Sequence, residues 1–195
     1  MNLPTIYLLR HGQTEWNIEG RYQGRLDSPL TKKGREQARD NALKLKKYID
    51  IDKVEFFSSP IGRAKETALI IADELAIDSS LIHFEEAIKE FNYGIFEGKT
   101  KAYCRSEFKE IFEARDADKW NYVLEGGESY SLVTKRLKVW LKSIEGKDTI
   151  VIVAHEMINR VLRGIYCNLK STDMLKLKQP NDILIKLENG QERVM

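Results

Sequence analysis

Short apolar runs alternate along this chain with segments whose apolar residues recur every three or four positions. Residues 5–9 and 149–153 are apolar runs typical of strands that are buried on both faces. Residues 54–57 and 81–84 are shorter strand candidates. The alternation of strands with helices predicts an α/β fold, in which a mostly parallel sheet carries helices on both faces.

The helices and the tail follow from the same patterns. Thr31 is predicted to cap the first long helix, and Pro60 to lie near the first turn of the next one, where a missing N–H costs little. A last strand over 182–187 ends at Asn189-Gly190, a hairpin turn signal. Three further helices are predicted, over residues 103–112, 129–144 and 158–165.

Composition limits the classes of function. The chain has 195 residues, of which 42% are hydrophobic, so it can bury a substantial core. Its 32 Lys and Arg nearly balance 30 Asp and Glu, which argues against a nucleic-acid or anionic-membrane partner. Cys104 and Cys167 show neither disulfide nor zinc spacing. We therefore expect a cytoplasmic protein without metal or cofactor.

The domain organisation is predicted from what the chain lacks. No linker-like stretch or repeat interrupts residues 1–195, which predicts a single domain. Residues 91–128 form a long excursion whose aromatic side chains either make a lid or pack it down. The oligomeric state stays open at this point.

Charged and imidazole side chains follow three of the predicted strands. Arg10 and His11 end the first strand, Arg63 lies one helical turn beyond the second, and His155 follows the strand over 149–153. Ligands of such sheets bind at the carboxyl ends of the strands. Two guanidinium groups and two imidazoles would repel each other there unless an anion lay between them. Because Arg suits phosphoryl oxygens and neutral imidazole is a nucleophile, we predict a phosphate site.

Phosphoryl transfer also needs a proton donor for the leaving alcohol. A carboxyl group beside a phosphate dianion has a raised pKa and can hold a proton near neutrality. Glu90, Glu97 and Glu156 are the candidates for this acid.

These residues form part of a larger set of motifs that resembles the histidine phosphatase superfamily, whose fold is phosphoglycerate-mutase-like. The resemblance covers residues 5 to about 165. The motifs, in chain order, are Leu9-Arg10-His11-Gly12-Gln13-Thr14-Glu15-Trp16-Asn17, Arg21-Tyr22-Gln23-Gly24, Ser58-Ser59-Pro60 with Arg63-Ala64, Glu90-Phe91, Gly127-Glu128-Ser129 and Val153-Ala154-His155.

The resemblance implies roles for these positions. His11 would be the nucleophile that forms a phosphohistidine, and Glu90 would be the acid. Arg10, Arg63 and His155 would bind the transferring phosphoryl group, with no metal ion needed. Asn17 would lie in the phosphate pocket. The remaining candidate positions for substrate contacts are Arg21, Gln23 and Glu156.

One departure from the family pattern bears on specificity. Many members have glycine after the second histidine, whereas this chain has Glu156 and Met157. The compact middle segment favours a phosphomonoesterase of the histidine acid phosphatase type over a phosphoglycerate mutase, and a non-catalytic phosphate-binding module is the third alternative. The substrate would be a small phosphomonoester. Nucleotide, sugar, phosphoserine, α-ribazole phosphate and phosphoglycolate-type compounds stay open.

Overall fold

The computed structural model describes residues 2–195, and none of the helices in this range is long and apolar enough to cross a lipid bilayer. The elements in chain order are β1 (Thr5–Arg10), α1 (Glu15–Glu19), α2 (Lys32–Leu45), β2 (Glu55–Ser58), α3 (Gly62–Glu74), β3 (Ile82–Phe84), α4 (Lys101–Glu107), α5 (Lys109–Ala117), α6 (Tyr130–Ser143), β4 (Thr149–Ala154), α7 (Glu156–Tyr166), α8 (Ser171–Met174), β5 (Ile185–Glu188) and β6 (Gln191–Val194).

The strands form one sheet in the order β3-β2-β4-β1-β5-β6. The pairs β1–β4, β2–β4 and β2–β3 are parallel, whereas β5 and β6 join antiparallel at one edge. Asn189 and Gly190 connect β5 to β6 with positive φ angles of 50° and 74°, as a tight hairpin turn requires. The mostly parallel sheet and the hairpin are therefore as predicted.

Helices cover both faces of the sheet, because successive side chains of its central strands point to opposite sides. In β1, Ile6 and Leu8 enter the core under α6 and α7, and Tyr7 and Leu9 enter the core under α2 and α3. All four side chains are buried. This double burial explains why β1 is a continuous apolar run.

Several element boundaries differ from the sequence-based expectation. The helix predicted over 103–112 is two helices, α4 and α5, which are separated at Phe108 by a non-helical backbone (φ −121°, ψ 41°). Pro60 lies next to the first turn of α3 as predicted, although the helix itself begins only at Gly62 because Ile61 is still extended. The last predicted strand begins only at Ile185, since Gln179 bonds the carbonyl of Ile183 in place of a strand neighbour.

The excursion over 91–128 contributes aromatic side chains to the core. Phe91, Tyr93 and Phe96 are buried in the cluster that lies against α6 and α7. The guanidinium of Arg115 lies 5.5 Å from the ring centre of Tyr93, and Trp120 stacks on the ring of Tyr130. Packing therefore accounts for much of this aromatic content, and the function of the segment as a lid stays a prediction.

Candidate active site

The ends of three adjacent strands bring the predicted charged residues together. Because β4 lies between β1 and β2, His155 and His11 come side by side, and their ring centres are 5.2 Å apart. The backbone N–H of His11 continues the ladder by donating to the carbonyl of Ala154 at 3.0 Å. Both imidazoles are buried. The parallel pairing of β1 with β4 therefore brings two buried histidines together at the carboxyl end of the sheet.

A cavity opens at this point. It is lined by eight of the nine predicted site residues, which are Arg10, His11, Asn17, Arg21, Gln23, Arg63, Glu90 and Glu156. The ninth, His155, is fully buried against the ring of His11 and does not line the cavity. Segments separated by up to 146 positions therefore meet in one cavity.

The hydrogen bonds of His11 fix its protonation. Nδ1 lies 2.8 Å from the carbonyl oxygen of Gly12, which can only accept, so Nδ1 carries the proton. Nε2 then presents a lone pair, and the Nε–H of Arg63 donates to it at 3.3 Å. Burial first, and then the charges of Arg63 and Arg10, hold the pKa of His11 well below its usual value. The ring is therefore neutral, and the lone pair of its nucleophilic nitrogen, Nε2, accepts the N–H of Arg63.

Arg63 is the cation with the most hydrogen bonds in the site. It is 1% exposed, and its guanidinium donates to the carbonyls of Leu26 and Gly24, each at 2.7 Å. It also pairs with Asp27 at 3.3 Å. Arg63 thus faces His11 and holds the loop over residues 24–27 in the same geometry.

Arg10 and Glu156 form an ion pair on the cavity wall. Nη1 of Arg10 lies 3.0 Å from the Glu156 carboxylate and also donates to the carbonyl of Gln179 at 3.0 Å. Arg160 approaches the other oxygen of Glu156 at 3.6 Å. The Nε atom of Arg10 is buried without a hydrogen-bond partner among residues 2–195. Glu156 therefore neutralises part of the positive charge that the cavity offers to an anion.

His155 is held by a serine of the second strand end. Its Nε2 lies 2.8 Å from Oγ of Ser59, which also accepts the N–H of Ile61 at 3.3 Å. Burial first, then the charge of Arg63, keeps the pKa of His155 well below its usual value. His155 is therefore a neutral ring whose orientation is set by Ser59.

Glu90 is the carboxyl group that burial changes most clearly. It is 7% exposed and lines the cavity, and burial raises its pKa despite the backbone N–H of Phe91 and the nearby Arg63. Glu97, the second candidate for the acid, instead accepts the backbone N–H groups of Arg25 and Tyr93, at 2.9 and 3.0 Å. Glu90 is thus a buried carboxyl group on the cavity wall, whereas the carboxyl group of Glu97 joins two loops.

Three polar residues complete the mouth of the cavity. Oδ1 of Asn17 accepts the N–H of Thr14 in a capping box, which leaves its NH₂ group as a possible donor. Gln23 is buried, and its Oε1 has no hydrogen-bond partner within the described chain. Arg21 donates to the carbonyl of Gly98 at 2.8 Å and pairs with Glu19.

Five further residues line the cavity without having been predicted to do so. They are Tyr22, Gly24, Tyr93, Lys101 and Met157. Lys101 reaches the cavity because Arg21 and Thr100 form an isolated β-bridge, a pairing that no local pattern signals. Tyr22 and Gly24 belong to the Arg21-Gly24 motif, so neighbouring positions could have indicated them.

The described chain contains no cluster of metal-ligand side chains. Between residues 2 and 195, no three His, Cys, Asp or Glu side chains come together as a potential metal site. The charge of Glu156 is balanced by Arg10 and Arg160 of the protein itself.

Comparison with known proteins identifies the family. Residues 6–194 match the family model described as Histidine phosphatase superfamily (branch 1). The chain belongs to the histidine phosphatase superfamily. It is 31% identical over 175 residues to Phosphoserine phosphatase 1 of Hydrogenobacter thermophilus, which covers 88% of this chain and 78% of that protein.

Two further comparisons extend this result. Fructose-2,6-bisphosphatase of Saccharomyces cerevisiae is 28% identical over 183 residues, which are 94% of this chain but only 38% of that protein. The structure of mycobacterial glucosyl-3-phosphoglycerate phosphatase in complex with VO3 matches with a TM-score of 0.80 and 25% identity, covering 98% of this chain and 97% of the other. This chain has the phosphoglycerate-mutase-like histidine phosphatase fold. Together with these relatives, this fold indicates that the protein is a phosphatase.

Proposed function

We propose that this histidine phosphatase hydrolyses small phosphomonoesters through a phosphohistidine on His11, without a metal ion. The observation that carries the proposal is the pair of contacts made by the His11 ring. Nδ1–H donates to the carbonyl of Gly12, so the lone pair of Nε2 faces the cavity and Arg63. A neutral imidazole with an accessible nitrogen is a competent nucleophile toward phosphorus.

Positive charge on the walls supports binding of the phosphoryl group. Arg10 and Arg63 supply guanidinium groups, and Asn17 supplies an amide donor. His155, whose ring lies against that of His11, is proposed to act with them as the phosphoryl oxygens move. Donors placed in this way stabilise charge that develops in the transition state, which is the work a metal ion does in other phosphotransfer sites. We therefore expect turnover to survive EDTA.

The proposed reaction has two steps. Nε2 of His11 attacks phosphorus, the bond from phosphorus to the ester oxygen breaks, and Glu90 gives its proton to the leaving alcohol. Water then attacks the phosphohistidine and passes a proton to Glu90, and the N–P bond breaks. Inorganic phosphate leaves, and His11 and Glu90 return to their starting protonation. The raised pKa of Glu90 supports its place as the acid.

The alcohol half would occupy the outer cavity. Arg21, Gln23 and Glu156 line the cavity and are proposed to contact this part of the substrate. The phosphatase names of the relatives, and VO3 in one of them, support an oxyanion site of this kind.

The deciding experiment compares the wild type with His11→Ala on an aryl phosphate and a panel of metabolite phosphates. We expect acid-labile phosphate on His11 in rapidly quenched wild-type protein and loss of turnover in His11→Ala. His83→Ala is the matched control, because His83 is an exposed histidine on β3.

Other outcomes would contradict the proposal in distinct ways. Full activity of His11→Ala would remove His11 from the mechanism. Isomerisation of 3-phosphoglycerate without release of phosphate would make the protein a mutase. Saturable phosphate binding without any turnover in the wild type would make it a binding module.

A further inference from the structure

The peptide that joins His11 to Gly12 is held from both sides by side chains distant in sequence. Its carbonyl, that of His11, accepts a hydrogen bond from Nδ2 of Asn181 at 2.6 Å. Its N–H, that of Gly12, donates to Oγ1 of Thr67 at 3.1 Å. The carbonyl of Gly12 then accepts Nδ1–H of His11. That carbonyl belongs to the next peptide, whose N–H, that of Gln13, donates to Oε1 of Gln37 at 2.9 Å. The two peptides share the Cα of Gly12, so the position of the first bears on where the carbonyl of Gly12 lies relative to Nδ1 of His11.

The sheet leaves this part of β1 open on one flank. β4 pairs with β1 as far as Arg10, but β5 pairs only with Ile6 to Leu8. At the carbonyl of Leu8, a side-chain amide takes over from the strand, because Gln179 donates to it at 3.0 Å. The carbonyl of Leu9 accepts Nδ2 of Asn159 at 3.0 Å.

Both holding side chains are anchored themselves. Thr67 is fully buried on α3 and donates its hydroxyl to the carbonyl of Arg63 at 2.7 Å, so its oxygen has lone pairs left for Gly12. The backbone carbonyl of Asn181 accepts Nδ2 of Asn41 on α2 at 2.9 Å. The segment before β5 is thus tied to β1 and to α2.

Close packing restricts the same peptide. A Cβ added to Gly12 would lie 2.1 Å from the carbonyl oxygen of Gly34 on α2, so only glycine permits this approach. A peptide with neighbours this close has one orientation while both hydrogen bonds persist.

We infer that Thr67 and Asn181 are positioning residues, which hold the His11–Gly12 peptide and thereby fix the nitrogen of His11 that carries the proton. The inference rests on His11 being the nucleophile of the proposed reaction. Loss of either bond lets the His11–Gly12 peptide rotate, which moves the Cα of Gly12 and draws its carbonyl away from Nδ1 even while Gln37 still accepts the N–H of Gln13. The ring then samples the tautomer with Nε2 protonated, which cannot attack phosphorus.

Matched substitutions test this inference. Thr67→Val keeps the shape of the side chain but removes the acceptor for Gly12, and Thr67→Ser restores it. Asn181→Ala removes the donor to His11 at a half-buried position. Thr134→Val is the control for Thr67, because Thr134 also donates to a carbonyl four residues earlier on a helix. Asn121→Ala, at an exposed asparagine, is the control for Asn181.

The readouts are the ¹⁵N chemical shifts of the His11 ring and the rate of phosphohistidine formation. In Thr67→Val and Asn181→Ala we expect a mixture of tautomers and a kcat lower by about 10- to 100-fold, as for small misplacements of reacting groups. KM should change little, and Thr67→Ser and both controls should behave like the wild type. Should Thr67→Val lose its fold by circular dichroism, Asn181→Ala decides.

Failure of this inference is distinguishable from failure of the proposed function. Folded variants with a single wild-type tautomer and a wild-type rate of phosphorylation overturn the inference alone. A wild type that never carries phosphate on His11 overturns the proposed function, whereas the ring shifts still report whether the two side chains set the tautomer.

Discussion

The Nε–H of Arg63 meets Nε2 of His11 at 3.3 Å, so a permanent cation faces the lone pair of a buried imidazole. Protonation of Nε2 would place two positive charges next to each other in a buried site, where water screens them little. The contact therefore opposes protonation of the ring while leaving Nε2 its lone pair. In the proposed reaction, Arg63 keeps its proton, and its N–H exchanges the hydrogen bond to Nε2 for one to a phosphoryl oxygen as Nε2 forms its bond to phosphorus.

Arg63→Lys is expected to lower both activity and stability. Lysine carries the charge but cannot donate at once toward His11, Gly24 and Leu26. Phosphate release should fall by about 100-fold or more. Each buried carbonyl left without a donor should cost about 1–3 kcal/mol of unfolding free energy.

Steady-state kinetics and urea denaturation measure these two effects. Arg39→Lys is the control, because Arg39 forms only a surface pair with Glu74. A wild-type rate in Arg63→Lys would show that a simple point charge suffices at this position.

Glu90→Gln should affect substrates according to their leaving groups. An alkyl phosphate needs a proton as the alcohol leaves, whereas a nitrophenolate leaves readily without one. We expect kcat/KM, which reports the phosphorylation step, to fall by about 100-fold or more for alkyl phosphates and only slightly for the nitrophenyl ester. Equal losses for both substrates would remove Glu90 from the role of acid.

The pH profile of kcat/KM gives a second view of Glu90. The proposed reaction needs Glu90 protonated and His11 neutral. Because burial raises the pKa of Glu90, activity should fall as pH rises through that pKa. Because burial and the arginines lower the pKa of His11, the acid limb should lie well below pH 6.5. The alkaline limb should be present with alkyl phosphates and weak with the nitrophenyl ester, whose leaving group needs no proton.

Glu156→Gln is expected to strengthen binding of inorganic phosphate. The carboxylate competes for Arg10 at 3.0 Å, and its removal frees that guanidinium for an anion. We expect the inhibition constant of phosphate to fall by about tenfold, which corresponds to 1.4 kcal/mol. Glu113→Gln, an exposed substitution on α5, should leave it unchanged. Weaker phosphate binding in Glu156→Gln would mean that the carboxylate holds Arg10 in place.

The buried histidines should make the fold sensitive to acid. The pKa of His155 is lowered in the folded state, so below about pH 6.5 the unfolded chain binds a proton that the folded chain does not. The free energy of unfolding should therefore fall with decreasing pH, by up to about 1.4 kcal/mol per unit for each such histidine. Glu90 acts in the opposite sense, because its raised pKa favours the folded state as pH falls.

Comparison of variants separates the histidine effect from that of Glu90. Urea denaturation at pH 7.5 and 5.5 should show a smaller acid loss in His155→Gln than in the wild type. His83→Gln, at an exposed position, should keep the wild-type difference. An unchanged difference in His155→Gln would show that this ring does not control acid stability.

The arrangement of the sheet and its histidines could be predicted because it depends on local patterns. Residues 5–9 and 149–153 are apolar throughout, which is required of strands covered on both faces. Once two such strands are parallel neighbours, whatever follows them lies at one edge. His11 and His155 therefore meet without any further information.

The choice among the three acidic candidates could not be made from local sequence. Glu90 and Glu97 lie only seven positions apart in the chain, yet one lines the cavity and the other accepts two backbone N–H groups. Glu156 follows His155 directly, but its pairing with Arg10 depends on how α7 packs beside β1. Each outcome is set by contacts between distant segments.

The sequence by itself determined the succession of strands and helices and the chemical groups at the strand ends, because hydrophobic periodicity is a property of neighbouring residues. Only the tertiary structure decided that Lys101 reaches the cavity and that Asn181 and Thr67 hold the His11–Gly12 peptide. Such contacts join residues up to 170 positions apart. They form through the packing of whole elements against each other, which no local preference encodes.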